Sequence, residues 1–289
     1  MCHTYSLNIK QNIMKNIIFL LSLLTLFITS CQDVVNLDLP DGDTLLVIDG
    51  WITNLEGEKQ VKLSATANYF NSNQTPKISG ATVILYNETG VVDTLQEKEA
   101  GIYVTDHVGK VGSSYHIYIR TAQGEEFESQ PELLKPISSI DSIYYEFKEE
   151  TAFQDEGYYV KIDTWEPAGA GDHYRWKQYV NNEYQNTPFD IIIASDQFVD
   201  GNPIIGIEVN FEPLEVGDTF RVEQLSISKS AYDFFLKLQQ QTAFVGSLFD
   251  TPPAALRGNI IRLDKSAGPD ALGYFGASAV ATAEITIEE

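Results

Sequence analysis

GATVILYNETGVVDTL, residues 80–95, is the stretch that decides the fold class of this 289-residue chain. Ala81 to Tyr86 is a run of strand-forming residues, Asn87-Glu88-Thr89-Gly90 has the composition of a tight turn, and Val91 to Leu95 runs back. Together they read as a β-hairpin. Upstream, Leu45 to Ile52 reads as a strand and Gln60 to Ala65 as another, with Val61 and Leu63 alternating against Lys62 and Ser64. A loop rich in Asn, Ser and Pro spans residues 68–79. Downstream come Gly101 to Val104 and Ser114 to Thr121. In the latter Tyr115, Ile117 and Ile119 alternate with His116, Tyr118 and Arg120, and Gln123-Gly124 then turns the chain into Glu125 to Ser129. Seven short strands at this spacing predict a β-sandwich over residues 44–132. Fifteen Tyr and fifteen Phe fit that strand-rich reading.

The order of Gly80, Ala81, Val83, Leu85 and Gly90, then Gly101 and Tyr103, then Tyr115, Ile117, Ile119 and Gly124 resembles the immunoglobulin-like modules related to the regulatory domain of carboxypeptidases. That resemblance implies a fold and no activity. Pro131 to Pro136 predicts a junction, followed by a second β-rich domain over residues 137–289. Strands are expected at Ile140 to Phe147, Gly157 to Thr164, His173 to Tyr184, Ile204 to Phe211, Thr219 to Ser228, Asn259 to Leu263, Leu272 to Ser278 and Ala281 to Ile287. One helix stands out at about 229–242. Ser230 and Asp233 have capping spacing, and Ala231, Phe234, Phe235 and Leu238 fall on one face. The expected architecture is therefore mostly β, an immunoglobulin-like sandwich followed by a second β domain carrying one amphipathic helix.

Location is written at the other end. MKNIIFLLSLLTLFITSC runs from Met14, the expected true start, to Cys31. A basic residue, Lys15, precedes a short apolar run that closes on small residues, the three parts of a secretory signal. The run is too short to cross a hydrocarbon core of about 30 Å. Ile28-Thr29-Ser30-Cys31 resembles a bacterial lipobox, so residues 1–30 are expected to be a signal peptide and Cys31 to carry the lipid, palmitate included. No other cysteine follows it, which leaves no partner for a disulfide in the mature chain. Residues 31–43, with Pro40 and Gly42, form the expected tether, and contact with the membrane is expected through the lipid alone. Gln32-Asp33 puts only one acid directly after the anchor, which leaves both faces of the membrane open.

The formal charge of -22 argues against nucleic acid and against polybasic adhesion to lipid. His107, His116 and His173 stand far apart and show no metal-ligand spacing. No nucleophile elbow occurs, and the mature chain has no cysteine nucleophile. Asp196 to Asn202 (DQFVDGN) resembles a loose oxygen cluster for calcium without EF-hand spacing, and an ordinary polar loop is the simpler reading. Trp51, Trp165 and Trp176 are each expected to pack or anchor. Trp165, beside Glu166-Pro167, is the candidate for stacking on a ligand. Asp43-Thr44-Leu45, Asp93-Thr94-Leu95 and Asp141-Ser142-Ile143 resemble a short O-glycosylation acceptor motif. No catalytic residue, metal or cofactor is expected, and the chain is read as a non-enzyme.

Ala231-Tyr232-Asp233-Phe234-Phe235, Leu248-Phe249-Asp250-Thr251-Pro252-Pro253, Gly258-Asn259-Ile260 and Leu272-Gly273-Tyr274-Phe275-Gly276-Ala277-Ser278 together resemble domain-of-unknown-function family 4249. Leu46 to Gly50 and Ile140 to Ile143 also fit its pattern. The resemblance implies an exported lipoprotein of the outer membrane, encoded beside TonB-dependent β-barrel transporters and active in nutrient uptake, with no established catalytic residues to carry over. The expected role is an accessory or substrate-capturing partner of such a transporter. The alternative is an independent glycan-binding or glycan-processing surface lipoprotein. Leu248, Phe249, Pro252, Pro253 and Asn259 are candidates for contact with the transporter. Consecutive prolines would hold that loop stiff, though the same loop could simply clamp the helix onto a sheet.

Overall fold

The computed structural model describes residues 44–66, 75–243 and 256–288, and the compact unit that contains them runs from Asp43 to Glu289. Strand alternation sorts the first body into two sheets. β1 (Leu46–Thr53), β2 (Lys59–Ala65), β5 (Gln96–Glu99) and β6 (Ile102–Thr105) lie in one sheet. β3 (Thr82–Asn87), β4 (Gly90–Thr94), β7 (Ser114–Arg120), β8 (Glu126–Ser129) and the short β9 (Glu132–Leu133) lie in the other. Ile48, Ile52, Leu63, Val83, Leu85, Ile117, Ile119 and Phe127 are at most 1 % exposed and fill the space between them. These are the inward positions of the period-2 pattern. The hairpin predicted at residues 80–95 is β3–β4, paired from Asn87↔Gly90 to Ile84↔Thr94.

A second pair of sheets follows. β10 (Ile140–Lys148), β11 (Gly157–Trp165) and β15 (Pro203–Glu208) form one. β12 (His173–Val180), β13 (Glu183–Gln185), β14 (Ile192–Ser195), β16 (Thr219–Ile227) and β19 (Val280–Thr286) form the other. Val160, Ile162, Tyr174, Trp176, Phe220 and Val222 make the core between them. The single strand expected from His173 to Tyr184 is instead a hairpin. Asn181 and Asn182 take φ of 51° and 69°, the left-handed pair that a tight two-residue turn needs and that Asn tolerates.

The expected junction at residues 131–136 contains β9 and precedes β10, and the strand pairing does not respect it. β17 (Ile260–Arg262) joins β8, with Ile260 opposite Ser129. β18 (Leu272–Ser278) joins β1 in parallel, from Val47↔Leu272 to Thr53↔Ser278. After Ala279 alone the chain enters β19, which pairs with β16 in the other body. One ribbon therefore belongs to both sandwiches. The sandwich begun by residues 44–132 is completed by strands from the far end of the chain, and no cut at 131–136 yields two closed units.

The helix α1 (Lys229–Ala243) lies where periodicity put it, but its cap differs. The Ser228 hydroxyl accepts from the Ala231 N–H at 3.1 Å, so Ser228 is the N-cap. Asp233 pairs with Lys229 at 2.6 Å, and Ser230 turns inward to donate to Glu132 at 3.0 Å. The Tyr274 hydroxyl also donates to Glu132, which is only 4 % exposed, and lies 2.7 Å from Ser230. This buried network pins the start of α1 to β9 and β18. Among the described residues no helix is long and apolar enough to cross a membrane.

Two outcomes are expected. Residues 44–135 expressed alone lack β17 and β18 and should show no cooperative thermal transition, whereas the chain from residue 44 to its end should unfold in one. A fragment that melts cooperatively by itself would refute the shared-ribbon architecture. Gly273 has φ +88° and a Cβ there would lie 1.9 Å from the Ile48 carbonyl oxygen. Gly273→Ala should cost more than about 2 kcal/mol in urea unfolding, by left-handed strain and by parting β18 from β1.

Candidate functional site

Alternation along β12 has two products. Tyr174 and Trp176 face the core, and the opposite face carries Arg175, Lys177 and Tyr179. The Asn181-Asn182 turn folds β13 back so that Tyr184 sits opposite Tyr179, their rings 5.3 Å apart. Facing them, the outer side of β1 presents Asp49 and Trp51, and β2 presents Lys62. α1 closes a flank with Phe234 and Phe235. The space so enclosed is a cleft of about 750 Å³ lined by all of these residues and by Tyr274. Its size is that of a small-molecule site.

One wall is aromatic. Trp51 stacks on Tyr274 at 6.0 Å and 25° and meets Phe235 at 5.9 Å. Gly276 makes this possible, because a Cβ there would come within 2.5 Å of the indole. The other wall is cationic. The Arg175 guanidinium lies over the Phe235 ring at 4.0 Å, and its Nη2 donates to the Tyr184 hydroxyl at 2.9 Å. Its buried Nε finds no acceptor among the described residues, nor does the Trp51 Nε1. Lys177 lies 5.8 Å from the centre of the Tyr184 ring.

Two acids of the cleft are already committed. Glu223 receives Arg221 at 2.5 Å and the Tyr179 hydroxyl at 3.1 Å, and Glu58 pairs with Lys98 at 2.9 Å. Asp49 stands opposite Lys62 across the β1–β2 register. Lys59 is sequestered, its ammonium donating to the carbonyls of Leu55 and Gly57. Among the described residues neither Arg175 nor Lys177 has a carboxylate within 4.0 Å. Burial first, and then the positive charge of Arg175, push the Lys177 amine down to about 8, against the opposing pull of Glu223 and Asp49. Burial likewise pushes the Tyr184 hydroxyl up, while Arg175 holds it back. Two cations without a carboxylate within 4.0 Å thus lie beside aromatic rings inside a strongly acidic protein.

The residues singled out from sequence lie elsewhere. Leu248, Phe249, Pro252 and Pro253 are outside the described residues, as is Cys31. Asn259 is 4 % exposed. Its amide bridges to Phe275, donating to the carbonyl at 2.8 Å and accepting from the N–H at 3.0 Å. It ties β17 to β18 and offers nothing to a partner's surface. Trp165 is 51 % exposed at the end of β11. Trp176 is buried and donates to Gln224 at 3.0 Å, whereas Trp51, read as a packing residue, lines the cleft. In the loop from Asp196, the Asp196 carboxylate accepts from the N–H groups of Gly171 and Asp172, and it gathers with Glu166 and Asp172 within 4.8 Å. Lys135 meets that group at Asp172, 3.2 Å away, and burial pushes the Glu166 carboxyl up. His116 stacks on Tyr86 and pairs with Glu128 at 3.2 Å.

Sequence reading passed over Arg175, Lys177 and Tyr184. The signal was present in HYRWKQY, where two of the chain's 19 basic residues sit two apart on one strand face. Comparison with known proteins adds a family and no activity. No curated protein matches the chain. A family model described as Domain of unknown function (DUF4249) matches residues 32–284, nearly the whole body just described, and the chain belongs to that family.

Proposed function

We propose that this protein is an outer-membrane lipoprotein that captures a small ligand as an accessory partner of a TonB-dependent transporter. The observation that carries the reading is the cleft, where two cations without carboxylate partners face an aromatic wall. Such a surface is costly to maintain in an apolar setting unless something binds there. The lipobox-like ending at Cys31 is the anchor in this reading, and residues 31–43 are its tether. The transporter partnership rests on the family resemblance. The independent glycan-binding alternative has one feature in its favour, the half-exposed Trp165 ring on the second body.

Two measurements test the proposal. Cys31→Ser should abolish incorporation of labelled palmitate and move the protein from the membrane to the soluble fraction. Label and membrane association retained in the variant would remove the anchor from the account. The anchored wild type, affinity-purified from gently solubilised membranes, should bring down an outer-membrane β-barrel. Recovery of the protein free of any barrel, together with binding to oligosaccharides that Trp165→Ala abolishes, would transfer the function to the glycan reading.

A further inference from the structure

We propose that the cleft between β1–β2 and the β12–β13 hairpin binds a small organic oxyanion, with Arg175 and Lys177 taking the charged group and the Trp51 ring, backed by Phe235 and Tyr274, flanking a flat apolar body. The inference deepens the ligand-capture reading and rests on it for the cleft's purpose. Its first ground is charge. Of the acids lining the cleft, Glu223 is held by Arg221 and Glu58 by Lys98, and Asp49 stands opposite Lys62 in the strand register, while Arg175 and Lys177 have no carboxylate within 4.0 Å among the described residues. Two like charges two residues apart on a half-buried strand face repel each other and lose hydration. A scaffolding pair would carry carboxylates, so this pair lacks the partner that an incoming oxyanion brings.

The second ground is geometry. Phe235 backs the Arg175 guanidinium at 4.0 Å and Tyr184 accepts from its Nη2, which fixes the plane of the fork and leaves Nη1 without a protein partner among the described residues. Positioned donors lose little side-chain freedom on binding. The third ground is the Trp51 ring, the partly exposed member of the aromatic cluster, which the buried Phe235 and Tyr274 hold in place and against which a planar ring or unsaturated body can pack. A carboxylate and a phosphate present the same chemistry to this fork, and the probes must separate them.

Lys177 makes the site sensitive to pH. It is faced by Arg175 and Tyr179 on its own strand, Glu223 on β16, Tyr184 on β13, and Asp49 and Lys62 across the cleft. Its charged form binds the anion, and with its amine held near 8 that form is lost well below the range of an ordinary lysine. Affinity should therefore be full below pH 7 and fall as pH rises through about 8.

Isothermal titration of the purified full chain with 2-naphthoate, 2-naphthyl phosphate and neutral 2-naphthamide tests the proposal. At least one of the anions should bind saturably and at least about tenfold tighter than the amide, and the tighter of the two identifies the headgroup. Lys177→Met should weaken that anion by about tenfold or more and leave the amide unchanged. Lys177→Arg should retain binding above pH 8. Melting supplies an independent readout. The folded state binds fewer protons than the unfolded state between about pH 8 and 10, so wild-type stability gains from this group as pH rises there. Lys177→Met should consequently raise the melting temperature at pH 7, with the gain shrinking towards pH 10. Equal binding of amide and anions, undiminished anion binding in Lys177→Met, or no saturable binding of either anion would overturn the proposal. The titration needs neither anchor nor transporter. Intact oxyanion binding without barrel recovery would sink the partnership and leave this site standing.

Discussion

The ribbon from Leu272 to Thr286 is the constraint on which the rest of the molecule depends. Its first half hydrogen-bonds to β1 in parallel, its second half to β16 antiparallel, and only Ala279 intervenes. Because backbone donors and acceptors in a buried sheet must be paired, neither sandwich is complete until the end of the chain has been placed. The seam is reinforced where it crosses. The Ser226 hydroxyl accepts from the Ala279 N–H at 3.1 Å and donates to the Lys135 carbonyl at 2.7 Å, while Ser278 donates to the Ser226 carbonyl. Two bodies joined by a flexible linker could hinge. Two bodies that share a strand keep their facing surfaces in register, and those surfaces are the walls of the cleft.

Local patterning was legible because it is imposed by local physics. Val83 and Leu85, or Tyr115, Ile117 and Ile119, announce strands whose alternate side chains must be buried, and Phe234, Phe235 and Leu238 announce a helix with one apolar stripe. What could not be read was pairing between distant segments. Nothing in Leu46 to Thr53 says that its partner is more than two hundred residues away and parallel, so the prolines near 131–136 looked like a domain boundary. The same distance hid Asn259, a polar residue in a loop-like sequence whose amide is consumed by Phe275. Ser230 satisfied the capping pattern in one dimension but was claimed in three by Glu132 and Tyr274. The cleft follows the same logic. Each residue is ordinary on its own strand, and the site exists only because β12 and β1 are brought face to face.

Charge distribution gives the cleft its meaning. With 41 acidic and 19 basic residues a carboxylate partner is easily found, and Lys98, Lys148, Lys161 and Arg262 all have one. Arg175 and Lys177 do without one in a partly buried cleft, where a desolvated cation lacking a counter-ion destabilises the fold. Evolution commonly keeps such local costs where function requires them.

The helix completes the argument because it couples the cleft wall to the seam. Phe235 touches Arg175 on one side and Trp51 on the other, and the first turn of α1 is tied through Ser228 and Ser230 to Tyr274 and Glu132. Tyr274 is at once a residue of the ribbon, a partner of the buried Glu132, and a plate of the aromatic wall. A change that loosens the ribbon therefore reaches the aromatic rings of the cleft through Tyr274, which stacks on Trp51 and bonds to Glu132. The cleft is tied to the seam that joins the two sandwiches because Tyr274 belongs to both.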